Sequence, residues 1–401
     1  MDCVERSLLA ALRAAVHGET VRELPLSAEQ WKELMKLAGA QKVQPLVLHA
    51  AYACAAAQGW AESISLQRAC TAQYAAQARK TAKLLELCRF LAAQGLRPLV
   101  VKGVVCRAVY PEGELRPSAD EDLYAPHEEF AEACAALRAF GMIPLPAADE
   151  AEAVELGWYL PGSALYVELH QRLFPDEPER LRQLQAPFAD AFSRAVEYPL
   201  PGGEAVWSLC PHDELLYLLL HALKHFLHGG FGVRQVCDIG LWAQRYAERI
   251  DWPRLLEQCR AQRAERFAAA IFAIAEEQLG LTVPPSPDWR ASWVDPAPLL
   301  EDLLHAGIYG TATGSRRHAA PLILRAAEAK SGTLHALFPP LRALRRRDPV
   351  LDRRPWLLPW AWGKRIVKYR KEVRKSTDNT TRETLRIVGE RKKLLQVYGV
   401  L

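Results

Sequence analysis

The feature that most constrains this chain is a change of period. Up to about Ala93 the apolar residues recur with the 3.6-residue rhythm of helices, and from Pro211 to about Leu279 they do so again. Between these stretches the texture is different. Arg97-Pro98-Leu99-Val100-Val101-Lys102 is a short β-branched run, Asp122-Leu123-Tyr124-Ala125 reads as a second short strand, and Ala164 to His170 alternates well enough for a third. A short helical segment from Gly103 to Tyr110 separates the first two. A helix opened by Pro126 and closed by Gly141 separates the last two. Strand, helix, strand, helix, strand within about 75 residues is a compact α/β unit set between helical regions.

The flanks carry their own signals. Ser27 and Gln30 have capping-box spacing, with Leu26 and Trp31 placed as a hydrophobic staple. The stretch Ala61 to Ala93 has few breakers, so it reads as one long helix or two joined ones, stopped at Gly95. Pro211 suits a first helical position and Asp213 a first turn. Pro284, Pro285, Pro287 and Pro296 break the pattern. A chain of 401 residues holds two or three domains at ~150 residues each. The boundaries suggested are 1–95 (helical), 96–205 (α/β core), 206–318 (helical) and 319–401 (basic, rich in Trp and Arg).

Half of the residues are hydrophobic and 24% are charged, which excludes a mainly disordered chain. The net charge of +4 is unevenly spread: Leu341 to Lys375 holds 13 Lys/Arg against 3 Asp/Glu, and the remainder is slightly acidic. Nine scattered cysteines without a CxxC pair argue against a zinc ribbon or disulfide scaffold and for a reducing cytoplasm. Asp2 and Glu5 stand where an export signal has positive charge, and no run is apolar enough for a membrane span.

The α/β unit also concentrates the residues with chemical potential. Asp120 and Asp122 are two apart at the start of a strand and share a face, as do Glu168 and His170 on the third strand. Three carboxylates brought together repel one another, and hard divalent cations such as Mg²⁺ relieve that while also taking phosphate oxygens. Two such ions can clamp the attacking and leaving oxygens of a phosphoryl-type displacement. Lys102-Gly103 lies at a strand-to-helix turn, where glycine permits close approach and lysine offers a point charge for phosphate. Arg116 suits a phosphate contact or a structural carboxylate pair equally. His221, Lys224, His225 and His228 fall along one helical face. A metal site, half-buried packing and a wall facing a triphosphate or its acceptor are all open for them. Arg234 and Asp238, four apart, are placed to pair with each other.

The segments Leu99 to Tyr110 and Leu115 to Ala125, followed by Val167-Glu168-Leu169-His170 and then His221, Lys224, His225, Arg234 and Asp238, resemble the uncharacterised bacterial nucleotidyltransferase family of the polymerase-beta-like superfamily. Leu351 to Arg365 resembles it too. The resemblance implies an α+β fold with a small mixed-sheet nucleotidyltransferase core between N-terminal and C-terminal helical regions. It implies Asp120 and Asp122 as paired ligands of two Mg²⁺ ions, and Glu168 as the third carboxylate, which helps deprotonate an acceptor hydroxyl. It implies an NTP on the Lys102-Gly103 turn, with His221, Lys224 and His225 lining the cleft near it; for His170, orientation of Glu168, contact with the substrate and a core role are all open. The acceptor is open between protein, RNA, sugar and small molecule. The sequence departs from the superfamily twice: Lys102-Gly103-Val104 replaces the usual Gly-Ser, and Glu121 to Ala125 is more polar than the usual strand. Two other functions stay open: a catalytically silent adaptor on the same fold, and an RNA-binding protein. Trp356, Trp360 and Trp362 among Arg353, Arg354, Lys364 and Arg365 suit either packing on the body or a nucleic-acid or anionic surface.

Overall fold

Four helices precede the first strand: α1 (Cys3–Val16), α2 (Ala28–Ala40), α3 (Gln44–Ala57) and α4 (Ser63–Ala93). The computed structural model describes residues 1–146, 153–200, 203–283, 287–306, 350–364 and 381–400, with Phe338, Leu341, Leu344 and Val367 besides. The capping box on α2 is formed in both directions, Gln30 N donating to Ser27 Oγ and Ser27 N to Gln30 Oε1. Trp31 is buried and stacks on Trp60 at 5.6 Å. The stretch before Gly95 is a single helix of 31 residues, and Gly95 follows it at φ 81°. A left-handed residue there ends the helix with no Cβ penalty.

The sheet has five strands: β1 (Leu99–Val101), β2 (Glu121–Tyr124), β3 (Ile143–Pro144), β4 (Glu155–Tyr159) and β5 (Tyr166–His170). Their order is β1-β2-β5-β4-β3; β2 and β5 run parallel and the other pairs antiparallel. Three of the five match the alternating runs in the sequence, and β3 and β4 were not expected. A proline weakens the period-2 signal in β3. Gly157 interrupts it in β4, where a Cβ would lie 2.2 Å from the Tyr166 hydroxyl. Between the strands lie α5 (Gly103–Arg107) and α6 (Phe130–Ala139), and beyond them α7 (Glu179–Arg182) leads to a separate hairpin of β6 (Val196–Pro199) and β7 (Ala205–Ser208).

The second helical region comprises α8 (Pro211–His228), α9 (Val233–Arg245), α10 (Trp252–Ala261), α11 (Glu265–Leu279), α12 (Pro287–Arg290) and α13 (Ala297–Ala306). Pro211 does occupy the first turn of α8, with Asp213 and Glu214 beside it. One continuous apolar core runs from the N-terminal helices through the sheet to α8–α11, with Trp31, Trp158, Tyr217 and Trp242 almost wholly enclosed. The helix Thr381–Val397 returns to this body: Arg391 bonds Asp302 and the Phe226 carbonyl, and Tyr398, just past the helix, donates its hydroxyl to the Asp295 carbonyl at 2.8 Å. The overall class is thus α+β, a small mixed sheet between helical flanks.

Much of the basic segment lies outside the described residues, including Arg365, Lys368, Arg370 and Lys371. Of the part described, Leu344, Leu351 and Ala361 form a small cluster of their own, with Trp362 packed against it. Trp356 and Trp360 do not pack on the body; they are 71% and 54% exposed. Among the described residues no helix is long and apolar enough to cross a membrane.

Candidate active site

The site begins where β1 ends. Lys102 takes φ 55° and ψ −123°, a conformation L-residues rarely adopt, and Gly103 follows at φ 32°. Such a backbone costs ~1–3 kcal/mol and persists only where its surroundings hold it. Two buried carboxylates do so. Glu214, from the first turn of α8, accepts the Lys102 N–H at 2.9 Å, and Glu121, from β2, accepts the Val104 N–H at 2.9 Å. The turn sits so close to Glu121 that a Cβ on residue 103 would lie 2.1 Å from its Oε2. Glu121 has no room to yield: it also takes Arg107 at 2.8 Å, Ser118 at 2.8 Å and Lys80 at 3.3 Å. Burial alone would raise its pKa, but Arg107 and Lys80 more than offset that and hold the carboxyl below its ordinary value.

On the opposite face of β2, Asp122 lies in register with Glu168 of β5, so both side chains point the same way. Asp122, Glu168 and His170 each bring one potential ligand atom within 4.8 Å of the others. Asp120, just before β2, lines the same pocket without joining that tight set. Lys102 Nζ reaches Asp122 at 3.0 Å, and His170 Nε2 lies 3.0 Å from its other oxygen. Burial would raise the Asp122 pKa; the Lys102 ammonium and the His170 bond overcome it and keep the carboxyl well below the usual range. Glu168 has only partial relief, from the nearby His170. Burial, then the like charges of Asp122 and Asp120, push it up to about 7.

The facing wall comes from α8 and α9. His221 and His225, one turn apart, meet Nε2 to Nε2 at 3.3 Å, and His221 Nε2 lies 3.2 Å from Lys102 Nζ. Burial, with Lys102 and Lys224 nearby, holds both imidazoles well below their ordinary pKa, so they are neutral at pH 7. Lys224 lines the same wall. His228 does not; its Nδ1 meets the Lys224 carbonyl at 2.9 Å. The two walls enclose a cavity of about 330 Å³.

Lys102, Gly103, Asp120, Asp122, Glu168, His170, His221, Lys224 and His225 therefore all line one pocket, as the sequence suggested. Arg116 lines it as well, but as a brace. Its guanidinium takes Asp238 bidentately at 2.9 and 2.6 Å, and Tyr110 donates its hydroxyl to the same carboxylate at 2.7 Å. The pairing of Arg234 with Asp238 is thereby overturned: Arg116 occupies that carboxylate, and Arg234 donates instead to the Pro117 carbonyl at 2.7 Å. Sequence reasoning missed Glu214 altogether and noted Glu121 only as unusual polarity. Next to Asp213 in the first turn of α8, Glu214 reads as an ordinary dipole partner, so the sequence carried no separate signal for it.

Glu214 gives a pH prediction. Burial pushes its pKa up to about 8, against the opposing Lys102 N–H bond, and its Oε2 is buried with no partner. Between the ordinary value near 4.5 and about 8, the folded chain keeps a proton that the unfolded chain releases. This group therefore lowers stability as pH rises through that window, by at most ~1.4 kcal/mol per pH unit. Glu214→Gln, which mimics the protonated form, should remove this group's share of the slope and leave that of Glu168. Urea unfolding at pH 5, 6.5 and 8 should show the variant gaining on the wild type as pH rises; parallel curves would contradict the assignment.

No curated protein and no solved structure matches the chain. The model of a family described as uncharacterised nucleotidyltransferases matches residues 27–280, well over half the chain and the whole of the pocket just described, and the chain belongs to that family.

Proposed function

We propose that this protein is a divalent-metal-dependent nucleotidyltransferase, moving an NMP from an NTP to an acceptor hydroxyl with release of pyrophosphate. One observation carries the reading: Asp122 and Glu168 stand in register on parallel strands, in the same pocket as the Lys102-Gly103 turn. The donor set fits a hard cation. It consists of carboxylate oxygens with one imidazole, and the pressure of like charges on Glu168 is the kind a divalent ion relieves. Asp122, Glu168 and Asp120 would hold Mg²⁺, which when bound neutralises phosphate charge and acidifies a hydroxyl.

The chain's own residues supply the rest. Lys102 places a fixed cation beside Asp122, where phosphate charge shifts during transfer. Glu168, in register with Asp122 and lining the same pocket, is placed to take the proton of the acceptor hydroxyl. The hydroxyl oxygen then bonds to the α-phosphorus in line, the bond from that phosphorus to the bridging oxygen breaks, and pyrophosphate leaves. His170 fixes the Asp122 carboxylate from the side. The enclosed walls order the reactants, which supplies much of the rate in such reactions.

The test is incubation of the protein and Mg²⁺ with each α-labelled NTP and cell extract, followed by identification of the labelled species. Label should pass to a discrete acceptor, with chelator abolishing transfer. Absence of transfer from all four NTPs, with NTP binding intact, would leave a binding module instead.

A further inference from the structure

Backbone N–H groups at a glycine-containing turn are common phosphate donors. Here two of the three are already engaged inside the protein: Lys102 N by Glu214 and Val104 N by Glu121. Both acceptors are fully buried. The helix that follows, α5, has only five residues and so offers little dipole of its own. A phosphate meeting this turn therefore finds buried carboxylates behind the amides that would otherwise receive it.

The pocket's cations can be set beside the buried ones elsewhere in the fold. The buried bases Lys80, Arg107, Arg116 and Arg391 each face a carboxylate: Glu121 for the first two, Asp238 and Asp302 for the others. Lys102 has Asp122. Lys224 and Arg234, both half-buried on the pocket wall, have no ion-pair partner among the described residues. Arg234 places one terminal nitrogen on the Pro117 carbonyl, and its Nε is buried without a hydrogen-bond partner. Burial, then the neighbouring Lys102, make a proton on Lys224 harder to keep, against the more distant pull of Glu155, Asp122 and Glu168, and a bound anion would counter that pressure. Arg180, half-buried away from the pocket, also rests on a backbone carbonyl without an ion pair among the described residues; what sets Lys224 and Arg234 apart is that both line one open pocket, where a single anion can reach them together.

We propose that Lys224 and Arg234 grip the polyphosphate of the substrate with their side chains, in place of the turn's amides. The pocket is then bipolar. Carboxylates of the sheet hold the metal side, and cations of α8 and α9 hold the phosphate side, with Lys102 between them. The ligand class this selects is a linear polyphosphate carrying a metal ion. Only the nucleotide's identity rests on the proposed function; the grip itself does not.

Titration calorimetry of the full chain with inorganic tripolyphosphate, without metal, reads the grip directly. Lys224→Met and Arg234→Met should each weaken binding by about tenfold or more, as loss of a charge-assisted contact implies. The double variant should lose it, and wild-type affinity should fall steeply with salt. Arg234→Lys keeps the charge and guards against a folding defect, checked by thermal melting; it should bind more tightly than Arg234→Met. Equal tripolyphosphate affinity in wild type and double variant overturns the grip. Loss of binding in the double variant, even if no NTP is ever transferred, upholds the grip and sinks only the nucleotidyl-transfer reading. Transfer with an unchanged KM for NTP in the double variant overturns the grip and keeps that reading.

Discussion

Asp122→Asn should lower kcat/KM for nucleotidyl transfer about a thousandfold while the protein stays folded. The substitution keeps the shape of the side chain, and the amide oxygen can still accept from His170. What it removes is the charge. Lys102 then loses the anion 3.0 Å from its ammonium, and the pocket loses the carboxylate that stands in register with Glu168. Removing a metal-side charge from a phosphoryl-transfer site is worth several kcal/mol, and ~4 kcal/mol is about three powers of ten. Single-turnover transfer of label, with Mn²⁺ binding followed in parallel, checks both parts. A variant within tenfold of wild type, binding Mn²⁺ normally, would falsify the assignment of Asp122.

The largest loss of stability is expected on the other face of the same strand. Glu121→Leu should cost ~3–5 kcal/mol in urea unfolding, the range for breaking a buried ion pair from one side. The carboxylate is fully buried and serves Lys80 from α4, Arg107 from α5, Ser118 and the Val104 amide at once. Leucine leaves two cations uncompensated in the interior. Glu121→Gln retains an acceptor for the amide and should lose less. A cost below ~1 kcal/mol for leucine would mean that water or rearrangement solvates Lys80 and Arg107, contrary to the close packing around them.

The contrast between these neighbours shows how far a sequence can be read. Asp122 was legible because a strand's two-residue period aligns it with Asp120, and the same period aligns Glu168 with His170. Glu121 carries the same chemical group one position away, and its role depends on partners 3 to 41 residues distant that no period reveals. The helices α2, α4 and α8 were legible for local reasons: caps, a glycine stop, a proline at the first turn. β3 and β4 were not, because Pro144 and Gly157 answer to tertiary neighbours and erase the alternation. The fate of Arg234 turned on a competition that spacing cannot decide. Asp238 lies four residues away along its helix, yet Arg116 reaches that carboxylate with a planar fork and takes both oxygens.

The pocket's two walls come from separate stretches of chain, the sheet before residue 206 and the helices after it. Under the proposed reading, neither stretch alone would hold a metal-bound polyphosphate. A fragment ending near the β6–β7 hairpin would carry an acidic half-site, and one starting at Pro211 a basic half-site. A shared apolar core joins them, and around the pocket a polar clasp adds to it: Glu214 on the Lys102 amide, Asp238 on Arg116 and Tyr110, and Arg234 on the Pro117 carbonyl. These contacts set the gap across which the reactants must fit, so changes at the clasp should alter which acceptors are admitted before they alter the chemistry itself.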